Sequence, residues 1–205
     1  MDYTYRTKNN LTLDQVSCKD IMNEVCLRKL NGLMIHSDVS DIFNLLNLHG
    51  YKRKHEYRRF VEEKEFMEIK KWIIERHGVI PHQHLENRIE VDPKNVKTLG
   101  HREKITKDTK QQIILGIFEE LIKWEEGTLI FLNEAYKALE HHGKIADSEL
   151  ICELIEHTDI ELKKLKREKI ELMDLTFNLE YIFLKQKKIH DKYKEKMKKL
   201  NMCTT

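Results

Sequence analysis

The sequence predicts an all-α protein: a four-helix bundle with a long crossover between helices 2 and 3 and an additional helix at the C-terminus. Three observations carry that expectation. Apolar residues recur at three- and four-residue steps through most of the 205-residue chain, the period that lines one face of a helix. Charged residues make up 35% of it, with two prolines and seven glycines, which suits long solvent-laced helices better than sheet. The breaks also fall in a telling order: a tight turn at His49-Gly50, a long aperiodic stretch at 79–106, and a second tight turn at His142-Gly143-Lys144. Short hairpin, long crossover, short hairpin is one of the arrangements open to four packed helices.

Taken in order, residues 1–12 read as a polar arm whose MDYTYRTKNN opening lacks the apolar core of a signal peptide. The bundle is assigned to 13–174. Within 14–48 the residues Ile21, Val25, Leu27, Leu30, Met34, Ile42, Leu45 and Leu46 keep a helical period. An interruption is expected around 32–38, where Ser37 or Asp38 would cap a restarted helix. The second helix, 51–76, ends before Gly78, the residue type favoured at a left-handed C-cap. The crossover, 79–106, holds both prolines, Gly100 and the pair His82 and His84, which read as surface loop histidines. A connection this long is unusual between neighbouring helices, and it suffices to run from one end of a bundle to the other.

The third helix is placed at 107–141 and the fourth at 148–174, with Trp72 and Trp124 assigned to the core. Residues 175–205 form a basic C-terminal helix and tail. Its lysine-rich end reads as a solvated face, and sparse aromatic interleaving makes nucleic acid an unfavoured partner. A net charge of +2, from 37 Lys and Arg against 35 Asp and Glu, provides no global field toward a polyanion either. No apolar run approaches the ~20 residues of a membrane span. Cys18, Cys26, Cys152 and Cys203 are scattered without CxxC spacing, which suits a reducing, cytoplasmic setting.

The candidate site residues are acids on apolar faces. In the third helix Ile114, Phe118, Leu121, Ile122, Leu129, Leu132 and Leu139 mark one stripe, and steps of ~100° per residue put Glu125 inside it. Glu126 falls at its edge. In the fourth helix Leu150, Leu154, Leu162 and Leu165 define an arc that also contains Thr158 and Glu161. Glu62 and Glu65 lie at i and i+3 within the arc of Val61, Phe66, Ile69, Trp72 and Ile73; the plain alternative pairs them with Arg58 or Lys70 at a solvated edge. An ionised carboxylate in a core is costly unless something positive meets it.

These residues resemble a known family. Glu62-Glu63-Lys64-Glu65 leading to Ile73-Ile74-Glu75-Arg76-His77-Gly78 looks like the second helix of bacterial ferritins. Residues 118–126, then Ala138-Leu139-Glu140-His141-His142-Gly143 and 151–161, are similar to their third and fourth helices without a gap. The resemblance covers roughly 14–165 and implies a ferritin-like four-helix bundle. By that resemblance Glu62 takes the place of the bridging Glu, Glu65 that of the His three residues later, and Glu125 that of the third-helix Glu. The fourth helix offers His157, Thr158 and Glu161. The first-helix ligand position falls near Lys29 or Leu30, neither of them acidic.

Two readings of function follow. In the first, Glu62, Glu65, Glu125, His157 and Glu161 ligate one or two divalent ions, a mostly oxygen set that suits iron or manganese. The resemblance then implies iron binding of a ferroxidase kind and assembly into a homo-oligomer. In the second, the Lys29 ammonium enters where the family has a carboxylate and replaces the cation by an internal ion-pair network. That bundle needs no metal and would act as a scaffold, inhibitor or regulator, of a kind that suits a mobile element, using the crossover and the basic C-terminal helix to meet a protein partner. Hydrolase chemistry has no support: G-x-S-x-G, HExxH and a phosphate-cradling glycine loop are all missing.

Overall fold

The computed structural model describes residues 12–81, 106–174 and 178–203. A single 3-10 turn, Leu13–Gln15, precedes five helices: α1 (Cys18–Leu45), α2 (His49–His77), α3 (Lys107–His141), α4 (Ile145–Asp174) and α5 (Leu179–Cys203). Most of the N-terminal arm and nearly all of the 79–106 crossover, with His82 and His84, lie outside the described residues.

Local chemistry explains the helix ends. The Ser17 side chain accepts from the Asp20 amide and starts α1, and Thr106 accepts from Thr109 in the same way at α3. Gly78 (φ 63°) ends α2 in the left-handed conformation expected of it, and Gly143 (φ 67°) turns the chain between α3 and α4. The first turn departs from expectation. Asn47 (φ 59°) makes it, a residue type that tolerates left-handed backbone, while His49 and Gly50 already belong to α2.

A second correction concerns α1, which runs unbroken through 32–38. Gly32 is there for close approach: a Cβ on it would lie 2.9 Å from Oε2 of Glu62. Its missing side chain is room for a carboxylate of α2.

The helices pack around two apolar clusters at opposite ends of the bundle. One gathers Ile35, Phe43 and Leu46 of α1, Tyr51 of α2, Ile117, Phe118 and Leu121 of α3, and Leu165 and Leu172 of α4. The other gathers Ile21 and Val25 of α1, Phe66 and Ile73 of α2, Phe131 and Leu139 of α3, and Ile151 and Leu154 of α4. The start of α1 thus shares an end with the close of α2, the close of α3 and the start of α4. Trp72 Nε1 donating to Asp147 (2.8 Å) and His77 beside Asp147 (3.2 Å) join α2 to α4 at that end. The start of α3 lies at the other end, so α2 closes and α3 begins at opposite ends of the bundle.

Periodicity placed most core residues correctly. Trp124 is buried as expected, whereas Leu27, Leu30, Met34, Val61, Trp72, Ile122, Leu129 and Leu150 are only half-buried and Leu45 is exposed, and Thr128 and Thr158 take inward positions between the clusters. Among the described residues no helix is long and apolar enough to cross a membrane.

Helix α5 lies along the first half of α2. Ile182 is buried in the first cluster, Tyr193 packs on Tyr57 with centroids 5.4 Å apart, and the Gly50 amide faces Gln186. Pairs Gly50 with Gln186 and Tyr57 with Tyr193 advance together by seven residues, so α5 runs parallel to α2. At Gly50 the backbones nearly touch, since a Cβ there would sit 2.0 Å from the Gln186 carbonyl oxygen. Gly50→Ala is therefore expected to push α5 outward and cost about 1–3 kcal/mol of stability, read as a lowered melting temperature with faster proteolysis within α5.

A buried ion-pair layer as candidate functional site

Between the two apolar clusters lies a layer of charge. Lys29 of α1, 5% exposed, aims its ammonium at α2, with Nζ 2.7 Å from Glu65 Oε2 and 3.4 Å from Glu62 Oε2. Arg58 of α2 supplies the second cation. Its Nη2 donates to Glu62 Oε1 at 2.7 Å and lies 3.8 Å from Glu125 of α3, while its Nε lies 3.8 Å from Glu161 of α4. One guanidinium thus spans carboxylates from three helices. Its planar fork and weak hydration suit it to that task in a way an ammonium would not.

The five residues singled out in the sequence fall as follows. Glu62, Glu65 and Glu125 are buried, Glu161 is nearly so, and all four acids lie around Lys29 and Arg58. His157 stands at the margin, its side chain 60% exposed and its Nδ1 3.1 Å from Glu65 Oε1. Glu62 does pair with Arg58, but in the interior rather than at a solvated edge. Lys70 instead lies over the Phe66 ring.

Two buried cations face four carboxylates, and the imbalance is visible in their proton affinities. Burial works against ionising Glu62, yet the charges of Lys29 and Arg58 outweigh it and hold its carboxyl below the usual range. Glu161 is likewise lowered against burial, by Arg58 and by Lys164 at 2.6 Å. Glu125 is left over: burial, reinforced by the charges of Glu62 and Glu161, pushes it up to about 7 despite Arg58 and Lys29. For Lys29 and Arg58 burial opposes charge but the surrounding glutamates win, so both stay protonated.

Arg58 as the hub was not legible in the sequence, and neither were three further features. Arg28, one residue before Lys29, is buried over the Phe131 ring at 4.3 Å. Lys54 is buried against Glu168, joining α2 to α4. His36 and His55 are buried against each other with their rings tilted, Nδ1 to Nδ1 at 3.1 Å. The available signal was weak: His55, Arg58, Glu62 and Glu65 follow three- and four-residue steps along α2, with Lys54 four residues before Arg58, a polar stripe easily taken for a solvated edge.

Among the described residues no three His, Cys, Asp or Glu side chains are grouped so as to hold a metal ion. Comparison with solved structures finds ferritins of an archaeon. An open-pore ferritin from Archaeoglobus fulgidus superposes with a TM-score of 0.69 at 11% identity, covering 88% of this chain and 98% of that one. A humanized archaeal ferritin gives 0.68 at 12%, covering 84% and 94%. A closed form of the Archaeoglobus fulgidus ferritin, engineered by site-directed mutagenesis, gives 0.68 at 11% over the same shares. The chain has the ferritin-like fold. No family model and no curated protein matches its sequence. Of the two residues near the expected first-helix position, Lys29 turns its ammonium to Glu65 of α2, while Leu30 packs against the second apolar cluster.

Lys29→Ala is expected to cost about 3–5 kcal/mol in urea unfolding, because it strands Glu62 and Glu65 in the interior; adding Glu62→Gln and Glu65→Gln should return part of that loss. Glu125 has the opposite pH signature from an ordinary paired acid. Its folded value lies above its unfolded one, so stability should rise as pH falls from about 7 toward the ordinary carboxyl range of about 4.5, by at most about 1.4 kcal/mol per pH unit. Glu125→Gln should remove that contribution from the stability-versus-pH curve.

Proposed function

We propose that this protein is a ferritin-like bundle whose cations are built into the chain, and that it works as an interaction module rather than as an iron carrier. The observation that carries the reading is the Lys29 ammonium between Glu62 and Glu65, with Arg58 bridging to Glu125 and Glu161. The carboxylates as packed suit side-chain cations. A divalent ion among them would have to displace Lys29 and then sit beside a guanidinium that cannot deprotonate, so the residues present do not fit a di-metal centre. The partner surface in this reading is the outward side of α5, where Lys187, Lys188, Lys192, Lys194, Lys198 and Lys199 are exposed. The crossover is a second candidate surface.

The competing reading is iron or manganese binding by Glu62, Glu65, Glu125, His157 and Glu161, in a homo-oligomer of the kind ferritins form. What favours it is the ferritin-like fold together with the convergence of acids from α2, α3 and α4. Metal analysis separates the two. Chain purified without chelator and dialysed against ferrous or manganous ion should retain far less than one equivalent, and Lys29→Glu should raise that amount by restoring an acid and removing a cation. Stoichiometric metal in the unaltered chain, lost in Glu125→Ala, would instead establish the second reading. Sedimentation at micromolar concentration gives an independent check, since a metal-storing cage would sediment as a large closed shell and an interaction module as a small species.

A further inference from the structure

His36 and His55 are not needed by the charge layer, yet they are among the most deeply buried polar groups in the molecule, 2% and 1% exposed. They lie across the seam between α1 and α2, with Nδ1 atoms 3.1 Å apart and ring centroids 5.3 Å apart. Phe43 stacks on the outer side of His55 at 5.4 Å. Neither Nε2 has a hydrogen-bond partner among the described residues. We infer that this histidine pair is an acid-released latch between α1 and α2, closed while the two rings share one Nδ1 proton and forced open when both are protonated.

The geometry dictates the states. In the neutral pair one ring donates Nδ1–H and the other accepts through its Nδ1 lone pair, so a single proton lies on the seam. A first added proton goes to a buried Nε2 that faces no acceptor among the described residues, where charge is costly. With both rings charged, two Nδ1–H groups point at each other across 3.1 Å, and the hydrogen bond becomes a clash that only separation of the helices relieves. The surroundings oppose charging as well. Lys54 and Arg58, both on α2, already hold positive charge toward the pair, and Lys54 is occupied with Glu168 of α4. The acids that face it, Glu62 of α2 and Glu161 of α4, are engaged by Lys29, Arg58 and Lys164. The Phe118 ring of α3, 6.0 Å from the Lys54 ammonium, carries no charge. Burial is the largest cause depressing both rings: Arg58 adds to it at His36, which falls to about 3, and His36, Lys54 and Arg58 add to it at His55, which falls well below its ordinary value.

The sign follows from linkage. The unfolded chain takes up histidine protons below about pH 6.5 while the folded chain does not, so the stabilisation from neutral rings is complete above that value and lost as pH falls below it. Glu125 works in the opposite direction over part of the same range, so the pair must be isolated as a difference. The test compares the full-length chain with His36→Leu/His55→Leu by urea unfolding at pH 7.5, 6.5, 5.5 and 5.0. In the unaltered chain the unfolding equilibrium constant should rise, relative to the variant, by up to about tenfold per pH unit for each ring below pH 6.5, and amides near the α1–α2 seam should exchange faster at pH 5.0. A difference that is flat with pH would overturn the latch. Imidazole nitrogen NMR of the unaltered chain decides the matter without any variant. One Nδ1 protonated and one bare at pH 6 supports the pair as drawn; either ring titrating near 6.5 in the folded chain refutes it.

Discussion

An ionised side chain taken from water into a protein interior persists only beside an opposite charge with good geometry. Here the ammonium of Lys29 and the guanidinium of Arg58 meet Glu62, Glu65, Glu125 and Glu161 midway along the bundle, and the register of four helices depends on that meeting. A slide of α1 by one turn would carry Lys29 away from Glu65 and present Gly32 to some other side chain of α2. Oil-like clusters at the two ends would tolerate such a slide better, because one aliphatic contact substitutes for another. Burial of leucine, isoleucine and phenylalanine supplies most of the driving force for folding, at roughly 1.5–3 kcal/mol for each fully buried side chain. The charges select which packed arrangement that force produces.

The layer also makes the middle of the bundle the part most responsive to proton activity. Glu125 is an acid that prefers its proton near neutrality, while His36 and His55 are bases held without theirs. Both departures have burial as their largest cause, with the fixed cations opposing it at the acid and reinforcing it at the histidines. Helix α5 closes over the neighbouring part of α2, with Lys196 lying 5.0 Å from the centre of the Tyr57 ring. Its inner side contributes to the fold, and its outer side carries exposed lysines.

The ferritin-like fold accommodates this chemistry because the fold is a packing arrangement rather than an activity. Three helices that turn acids inward, α2, α3 and α4, create a place for positive charge at the centre of the bundle. Whether that charge is a bound ion or a lysine is a question for individual side chains. At 11–12% identity to the solved ferritins the backbone course is shared, and the side chains in the middle are this chain's own.

The sequence by itself determined the helices, their order and the inward acids. Glu125 and Glu161 stand among leucines and phenylalanines at helical spacing, and no solvated helix needs them there. The family resemblance also put Lys29 or Leu30, neither of them acidic, near the place of a first-helix acid. Only the tertiary structure decided that Lys29 reaches two glutamates of α2, that Arg58 is an interior hub, that Gly32 is a seat for a carboxylate and not a helix break, and that His36 meets His55. The physical reason is one of range. Periodicity reports which face of a helix is buried, a property of neighbours a few residues apart. Which charge meets which across a seam depends on the axial offset and rotation of two helices, and those are set by every contact along both of them at once.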